Sequence, residues 1–228
     1  MKKLIFGYGA TGKSVEAYFQ KNKIEYLIYD ENIQLNIPNE KIFDQGRFDE
    51  IDQVIISPGI KPTHPLIDEI NSRGLVINTD IDIFDNHYKG KIIGVTGTNG
   101  KTTFVNLLTD YLNSQKIKSI AVGNVGKSPL EIIDEEYEFV VMELSSFQLY
   151  YIKNLHLFKA IILNIYQDHL DWHSDYEDYR KAKLKIWDFL LPGNSDNTEP
   201  LVGDNESIQF NETFSKARIL ENVSKLPF

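Results

Sequence analysis

A glycine-rich string that ends in a lysine and two threonines, residues 96–103, has the clearest chemical meaning in the sequence. Gly97 and Gly100 allow the backbone to turn so that consecutive amide N–H groups point at an anion. Lys101 adds a cation, and the hydroxyl of Thr102 is a suitable ligand for Mg²⁺. The string predicts a site for nucleotide phosphates, called the phosphate loop below, made of Gly97, Thr98, Asn99, Gly100, Lys101, Thr102 and Thr103.

The phosphate loop departs in one place from the general pattern G-x-x-x-x-G-K-[ST]. Val95 stands where the first glycine is expected, and Gly94 comes one residue early. A turn that only joins a strand to a helix is therefore an alternative interpretation. It is disfavoured by two further strings that carry acidic side chains.

Both further strings place ligand-type side chains directly after a continuous apolar run. Glu143 follows the run 139–142, and Asp168, His169 and Asp171 follow the run 160–165. In open α/β sheets the ligand groups lie at the carboxyl ends of strands, and carboxylates there hold the Mg²⁺ that bridges the phosphates of ATP. A glutamate at a helix start, and polar surface residues at His169 and His173, are the plainer alternatives.

The elements that position these side chains follow from their apolar patterns. Buried strands of a mostly parallel sheet are predicted to end at Val95, Val122, Met142 and Ile165. Helical spacing over residues 176–187 gives an apolar face made of Tyr176, Tyr179, Leu184 and Trp187. We expect a P-loop α/β domain over residues 91–228, incomplete at its end, where residues 191–200 form a loop-like tract.

The first third of the chain predicts a separate Rossmann-like domain over residues 1–90. Strands at 3–6, 26–29 and 53–56 alternate with helical patterns, and residues 7–12 satisfy G-x-G-x-x-G. Asp30 ends the second strand at the spacing of a ribose-binding acid. By itself this pattern indicates NAD, although a solvent-facing turn is the plainer interpretation of Asp30. The polar stretch 86–90 marks the expected boundary.

Composition limits the class of protein. The chain has 228 residues and a formal net charge of −9, which argues against nonspecific nucleic-acid binding. It contains no cysteine, so disulfides and thiolate metal sites are excluded. The apolar start stops at Gly7, too early for a signal peptide, and no stretch is long enough to span a membrane. We expect a cytoplasmic enzyme.

Taken together, the motifs resemble those of the Mur ligases of peptidoglycan synthesis. The similarity lies in residues 96–102 (Thr-Gly-Thr-Asn-Gly-Lys-Thr), in residues 143–149 (Glu-Leu-Ser-Ser-Phe-Gln-Leu), in residues 168–171 (Asp-His-Leu-Asp) and in residues 179–183 (Tyr-Arg-Lys-Ala-Lys). Phe147 favours a resemblance to the family member that adds D-glutamate, because the member that adds the third residue of the peptide tends to have histidine at this position. The family also usually lacks the first glycine of the general loop pattern.

The resemblance implies an ATP- and Mg²⁺-dependent ligase that joins D-glutamate to UDP-N-acetylmuramoyl-L-alanine through an acyl phosphate. The implied catalytic residues are Lys101, His169 and Lys183, and the implied metal ligands are Thr102, Glu143, His169 and Lys183, with Lys183 carbamylated. The implied UDP-sugar site contains Gly9, Ala10, Thr11, Gly12, Asp30, Ser57, Pro58, Gly59 and Asn124. A third domain is expected in the family and is absent here, so we expect this chain, a monomer, to be inactive alone.

Three other functions stay open from the sequence. An NAD-dependent oxidoreductase explains the first glycine motif and leaves Lys101 unexplained. A non-catalytic module that binds nucleotide sugars needs only the first domain. Within the ligases, the enzyme that adds meso-diaminopimelate or lysine to the dipeptide precursor shares the Asp-His-Leu-Asp string. For Lys183 and Asn124 the plainer alternatives are a solvated helix lysine and a turn asparagine.

Overall fold

A computed structural model describes residues 1–32, 34–124 and 126–191. The chain divides into two compact units. The first unit consists of Met1–Tyr88 together with Ser128–Asp134 and Tyr151–Leu155. The second contains Lys89–Lys127, Glu135–Tyr150 and the described residues from His156 onward. Domain limits at residues 90 and 91 stay a prediction.

The first unit is built around a four-stranded parallel sheet with the order β2-β1-β3-β4. Leu4 at the centre of β1 pairs with Leu27 on one side and Val54 on the other. Its elements are β1 (Lys2–Phe6), α1 (Ala10–Lys21), β2 (Tyr26–Tyr29), β3 (Ile51–Ile56), α2 (Pro65–Ser72), β4 (Val76–Asn78) and α3 (Asp80–His87). Short 3₁₀ turns lie at Asn39–Lys41, Gln45–Glu50 and Pro129–Ile132.

The second unit has a parallel sheet with the order β6-β7-β5-β8, so β5 lies between β7 and β8. Its elements are β5 (Lys91–Thr96), α4 (Lys101–Ser114), β6 (Ser119–Gly123), β7 (Phe139–Glu143), α5 (Ser146–Tyr151), β8 (Lys159–Ile162) and α6 (Tyr176–Leu184), followed by a 3₁₀ turn at Lys185–Phe189. Tyr151, the last residue of α5, belongs to the first unit.

The core of the second unit explains why β5 and α4 hold the phosphate loop firmly. Val105, Leu108 and Leu112 lie on one face of α4 at helical spacing, and all three are fully buried. They pack in one cluster with Ile93 and Val95 of β5. Each buried aliphatic side chain contributes about 1.5–3 kcal/mol of transfer free energy. The loop therefore connects two elements that the core fixes.

The predicted fold class of two mostly parallel α/β sheets is confirmed, and several element limits are corrected. The strand predicted over residues 160–165 ends at Ile162, and the helix predicted over 176–187 ends at Leu184. On α6, Tyr179 is buried as predicted. Three other members of the predicted apolar face are only partly buried, namely Tyr176, Leu184 and Trp187. Helix α2 and strand β4 were not predicted.

Within the described part of the chain, none of the helices combines the length and the apolar character needed to cross a membrane. The loop-like tract predicted at 191–200 lies outside the described residues except for Leu191.

Candidate functional site

The phosphate loop lies at the carboxyl end of β5 and runs into the first turn of α4. Gly100 is the residue before α4 and has a φ of +80°, a left-handed conformation that glycine adopts without strain. As a glycine, Gly100 has no side chain with which to cap the first turn of α4. The amide groups that a helix leaves unpaired at its start, together with the positive end of the helix dipole, favour an anion. The loop is thus arranged to bind phosphate.

Lys101 lies folded against the phosphate loop. Its Nζ donates hydrogen bonds to the carbonyl oxygens of Gly97, at 2.7 Å, and Thr98, at 2.9 Å. Burial lowers the pKa of Lys101. The two carbonyls hold the ammonium group beside the start of α4, at the end of the loop where the sequence places an anion.

Glu143 is a buried carboxylate at the end of β7, as predicted, with 1% of its surface exposed. Its Oε2 accepts a hydrogen bond from the Thr102 hydroxyl at 2.8 Å. Its Oε1 accepts one from Asn124 Nδ2 at 3.2 Å. Thr102 and Glu143, expected to bind one metal ion, are therefore neighbours. A hydroxyl and a carboxylate are oxygen donors of the kind that Mg²⁺ prefers, so this pair fits the ion.

Lys183 reaches the same loop from α6. It is 2% exposed, and its Nζ donates to the Gly97 carbonyl at 2.8 Å and to Thr96 Oγ1 at 3.4 Å. The alternative of a solvated helix lysine is therefore wrong. Burial, followed by the nearby charge of Lys101, lowers the pKa of Lys183 to about 7. At neutral pH a large fraction of this amine is uncharged.

Tyr179, one turn before Lys183 on α6, contacts the phosphate loop, which the sequence did not predict. Its hydroxyl lies 2.7 Å from Thr98 Oγ1, and the Lys183 ammonium lies 4.9 Å from the centre of its ring. Burial raises the pKa of Tyr179 to about 12, so the phenol stays protonated. The i, i+4 spacing puts both side chains on the face of α6 that contacts the phosphate loop.

The segment after β8 differs from the prediction. His169 is about half exposed, and its Nε2 lies 3.5 Å from Asp168 Oδ2. In the part of the chain that the structure describes, no three histidine or acidic side chains converge as metal ligands do, so Asp168, His169 and Asp171 do not form the expected ligand cluster. The role of His169 at a second metal stays a prediction.

His173, in contrast, is buried, so the alternative of a polar surface residue is wrong for it. Its Nδ1 lies 3.1 Å from Asp178 Oδ2 and its Nε2 lies 3.0 Å from Ser146 Oγ. Burial lowers the pKa of His173. The ring therefore connects the start of α5 with the start of α6.

Asn164 contacts the phosphate loop and was also missed. Its side chain accepts a hydrogen bond from the Asn99 amide at 2.9 Å and donates one to the Asn99 carbonyl at 3.1 Å. The only sequence signal is a polar residue near the end of an apolar run, which we assigned to the strand.

The first unit carries a second glycine turn, called the first glycine loop below (residues 7–12). A Cβ atom on Gly12 would lie 2.2 Å from the Gly7 carbonyl oxygen, so α1 approaches the end of β1 more closely than other residues allow. Asp30 Oδ2 accepts a hydrogen bond from the Tyr8 amide at 2.6 Å. Ser57 Oγ donates one to the Gly7 carbonyl at 2.8 Å.

These residues meet at the edge where the sheet order reverses. The chain leaves β1 first towards β2 and later reaches β3 on the other side, and such crevices bind ligands in α/β proteins. The predicted residues of the first unit lie at this edge: Gly9, Ala10, Thr11 and Gly12 at the start of α1, Asp30 after β2, and Ser57, Pro58 and Gly59 after β3. Asn124 belongs to the second unit and contacts Glu143.

Two family matches cover most of the sequence. Residues 95–219 match the family described as Mur ligase middle domain. Residues 1–79 match the family described as Mur ligase MurD-like, N-terminal domain. The first match alone covers more than half of the chain.

Individual proteins give the same result. A UDP-N-acetylmuramoylalanine--D-glutamate ligase of Thermotoga petrophila is 35% identical over 191 residues, which cover 78% of this chain and 44% of that protein. The ligase of the same name from Rickettsia prowazekii is 37% identical over 194 residues, covering 81% and 43%. The chain spans about half the length of the curated relatives it matches.

A solved structure shares the fold. The UDP-N-acetylmuramate:L-alanyl-gamma-D-glutamyl-meso-diaminopimelate ligase of Neisseria meningitides superposes with a TM-score of 0.54 at 19% identity. The superposition covers 98% of this chain and 74% of that chain.

Proposed function

The chain belongs to the Mur ligase family, and on this premise we propose that it binds ATP and UDP-N-acetylmuramoyl-L-alanine for the ATP-driven addition of D-glutamate. The observation that carries the proposal is the phosphate loop, with Lys101 inside it and, beside it, Thr102 hydrogen-bonded to the buried carboxylate of Glu143. We propose a cytoplasmic, monomeric protein that uses Mg²⁺.

The phosphate loop would bind the β- and γ-phosphates of ATP. A γ-phosphate at the start of α4 meets the helix dipole and amide groups, and Lys101 would exchange its two carbonyl partners for phosphate oxygens. The substrate carboxylate attacks the γ-phosphorus, and the bond to ADP breaks. The amine of D-glutamate then attacks the acyl phosphate, loses a proton and displaces inorganic phosphate. Lys101 stabilises the charge that develops on the transferred group.

Thr102 and Glu143 would hold one Mg²⁺. The ion neutralises phosphate charge when bound. Glu143 is fixed for this role from two sides, because Asn124 holds one carboxylate oxygen and Thr102 the other. Asn124, which we expected only at the substrate, would thus also orient the metal-binding carboxylate. His169 and Lys183 are proposed to support a second ion.

The burial of Lys183 supports the proposed carbamylation. Only an uncharged amine attacks CO₂, and the pKa of about 7 provides that form at neutral pH. The amine nitrogen bonds to the carbon of CO₂ and releases a proton, which leaves a carboxylate in place of a cation. That change would also remove the repulsion between Lys183 and Lys101.

The first glycine loop would bind the uridine diphosphate. Asp30 and Ser57 fix the loop through the Tyr8 amide and the Gly7 carbonyl, while the start of α1 faces the crevice. Both oxygens of Asp30 accept backbone amide hydrogen bonds, the second from Asn32 at 2.8 Å. Its main proposed role is therefore to shape the loop, in addition to any contact with ribose.

The preference for D-glutamate ligation is supported by the names of the relatives and by Phe147. The Phe147 ring stacks on Trp172 at 4.6 Å and lies 4.8 Å from the His169 ring. Phe147, in α5, therefore packs against the segment that the proposal places near the second metal.

Calorimetric titration tests the proposal with three ligands: MgATP, UDP-N-acetylmuramoyl-L-alanine and the corresponding dipeptide precursor. We expect binding of MgATP and tighter binding of the L-alanyl compound than of the dipeptide. Tighter binding of the dipeptide would indicate the ligase that adds meso-diaminopimelate or lysine. Binding of UDP-sugar without MgATP would indicate a non-catalytic module, and binding of NADH alone an oxidoreductase.

A further inference from the structure

The chain after β8 runs alongside the phosphate loop, and several of its residues form hydrogen bonds with the loop and the end of β5. Leu163 N donates to the Thr96 carbonyl at 2.9 Å, and Thr98 N donates to the Asn164 carbonyl at 3.0 Å. Tyr166 N donates to Thr98 Oγ1 at 2.9 Å. All three bonds involve residues beyond the end of β8; the first is accepted by Thr96, the last residue of β5, and the other two hold Thr98 of the loop itself.

The side chain of Asn164 adds two further hydrogen bonds to the loop. Asn164 is 4% exposed, and its carboxamide brackets Asn99, accepting from the backbone amide and donating to the backbone carbonyl. A short side chain with one donor and one acceptor can do this, whereas aspartate has no donor and leucine has neither. The residue type is therefore matched to the task.

The hydrogen bonds of Asn164 also determine which backbone amides of the loop can face a ligand. The amides of Thr98 and Asn99 are both directed at Asn164, through its main-chain and side-chain oxygens. While these bonds are kept, neither amide can donate to a phosphate, so the phosphate contacts are left to other groups, among them the amides at the start of α4, where the N-cap residue Gly100 offers no capping side chain. Of the seven residues of the phosphate loop, Thr98 and Asn99 are therefore not expected to bind phosphate through their backbone amides.

We propose that Asn164 is a positioning residue for the nucleotide: it holds the phosphate loop in its binding shape before ATP arrives. The role rests on the proposed function, since it requires ATP at this loop. A loop that is already ordered loses less conformational freedom on binding, so its affinity is higher. Through Tyr166, the same contacts couple the loop to the segment that carries Asp168 and His169.

Asn164→Asp is the test variant. It keeps the acceptor for the Asn99 amide, removes the donor, and brings a carboxylate against the Asn99 carbonyl. We expect its Kd for MgATP in calorimetry to rise about tenfold or more. The Kd for UDP-N-acetylmuramoyl-L-alanine should stay unchanged, because the residues assigned to that ligand lie in the first unit, apart from Asn124, which contacts Glu143.

Asn113 provides a matched control in the same unit. Its carboxamide brackets Ser119 in the same way, accepting from the backbone amide at 2.9 Å and donating to the carbonyl at 3.1 Å. Ser119 begins β6, at the opposite end of the sheet from the phosphate loop. Asn113→Asp should lower the melting temperature and leave MgATP affinity unchanged.

A folded Asn164→Asp variant that binds MgATP as wild type does would overturn the positioning role while the proposed function stands. If wild type binds no MgATP, the proposed function and this role both fail. A measurement on wild type covers the case in which the variant does not fold: hydrogen exchange at the Asn99 amide should be slow without nucleotide. Fast exchange there would also overturn the role.

Discussion

The two glycine turns of this chain each join a strand to a helix, β1 to α1 and β5 to α4, but they have opposite charge environments. The first glycine loop is held by an acidic side chain, with Asp30 accepting from the Tyr8 amide. The phosphate loop is held by bases, because Lys101 and Lys183 both donate to the Gly97 carbonyl, at 2.7 and 2.8 Å. A buried carboxylate, Glu143, lies beside the second loop.

The difference corresponds to two tasks. Binding a diphosphate that does not react requires amide donors and a helix dipole, and a nearby acid even helps by fixing the loop. Transferring a phosphoryl group requires positive charge that is placed where negative charge develops. A glycine loop that only binds a diphosphate and one that takes part in phosphoryl transfer therefore differ in the charges placed around them.

Removal of Lys101 is expected to have the largest effect. If it had none, the proposed difference in task between the two loops would be wrong. Lys101→Ala should weaken MgATP binding about a hundredfold or more, because a charge-assisted contact to phosphate is lost from a partly buried site. Calorimetry should show unchanged binding of UDP-N-acetylmuramoyl-L-alanine. Lys13→Ala, at an exposed lysine of α1, serves as the control and should leave MgATP binding unaltered. Equal loss of both ligands in Lys101→Ala would mean that the two loops do not act separately.

Lys183 makes a second, smaller prediction about the pH dependence of stability. Burial lowers its pKa from 10.5 to about 7, so between these values the unfolded chain binds the proton more strongly than the folded chain. The free energy of unfolding of wild type, relative to Lys183→Met, should therefore increase by about 2 kcal/mol from pH 7 to pH 9. Urea denaturation in CO₂-free buffer measures this difference, since carbamylation would remove the titrating amine.

Lys181→Met, an exposed position on the same helix, is the control for that measurement. Its stability should follow wild type across the pH range. A constant difference between wild type and Lys183→Met from pH 7 to pH 9 would show that Lys183 keeps an ordinary pKa, and with it would go the support for a neutral amine at the phosphate loop.

Asp30 makes the smallest prediction. Asp30→Asn replaces a charged acceptor of the Tyr8 amide by a neutral one, so binding of UDP-N-acetylmuramoyl-L-alanine should weaken about tenfold while MgATP binding is unchanged. Asp44→Asn is a matched control, because Asp44 accepts from the Gly46 amide at 2.8 Å in another part of the first unit. Equal affinity of Asp30→Asn and wild type would remove the fixing role of this acid.

The sequence predicted the strands well because their apolar runs are continuous and both faces of each sheet are covered. The runs at 92–95 and 139–142 lie within β5 and β7. β4 was missed because it has only three residues, Val76–Asn78, too few to show a period. The helix at 176–187 was predicted too long, since a tighter 3₁₀ turn begins at Lys185.

Site residues were predictable where a local motif contains them and not where the contact is distant in sequence. Thr102 and Lys101 belong to a recognisable string. Asn164 lies 65 residues from its partner Asn99, and His173 lies 27 residues from Ser146. Asn164 lies in an apolar run that predicts a strand, and His173 follows the 168–171 string, but neither pattern indicates the partner, so only the fold shows what these side chains contact.

The division of the chain into units has a consequence for the order in which the protein is made. Two later segments, Ser128–Asp134 and Tyr151–Leu155, belong to the first unit. Asp82, buried in α3, accepts hydrogen bonds from the amides of Lys153, at 2.9 Å, and Asn154, at 2.8 Å. During synthesis on the ribosome, the first unit therefore waits for residue 155 before Asp82 has these partners. By then, three of the four strands of the second unit's sheet, β5, β6 and β7, have already been synthesised.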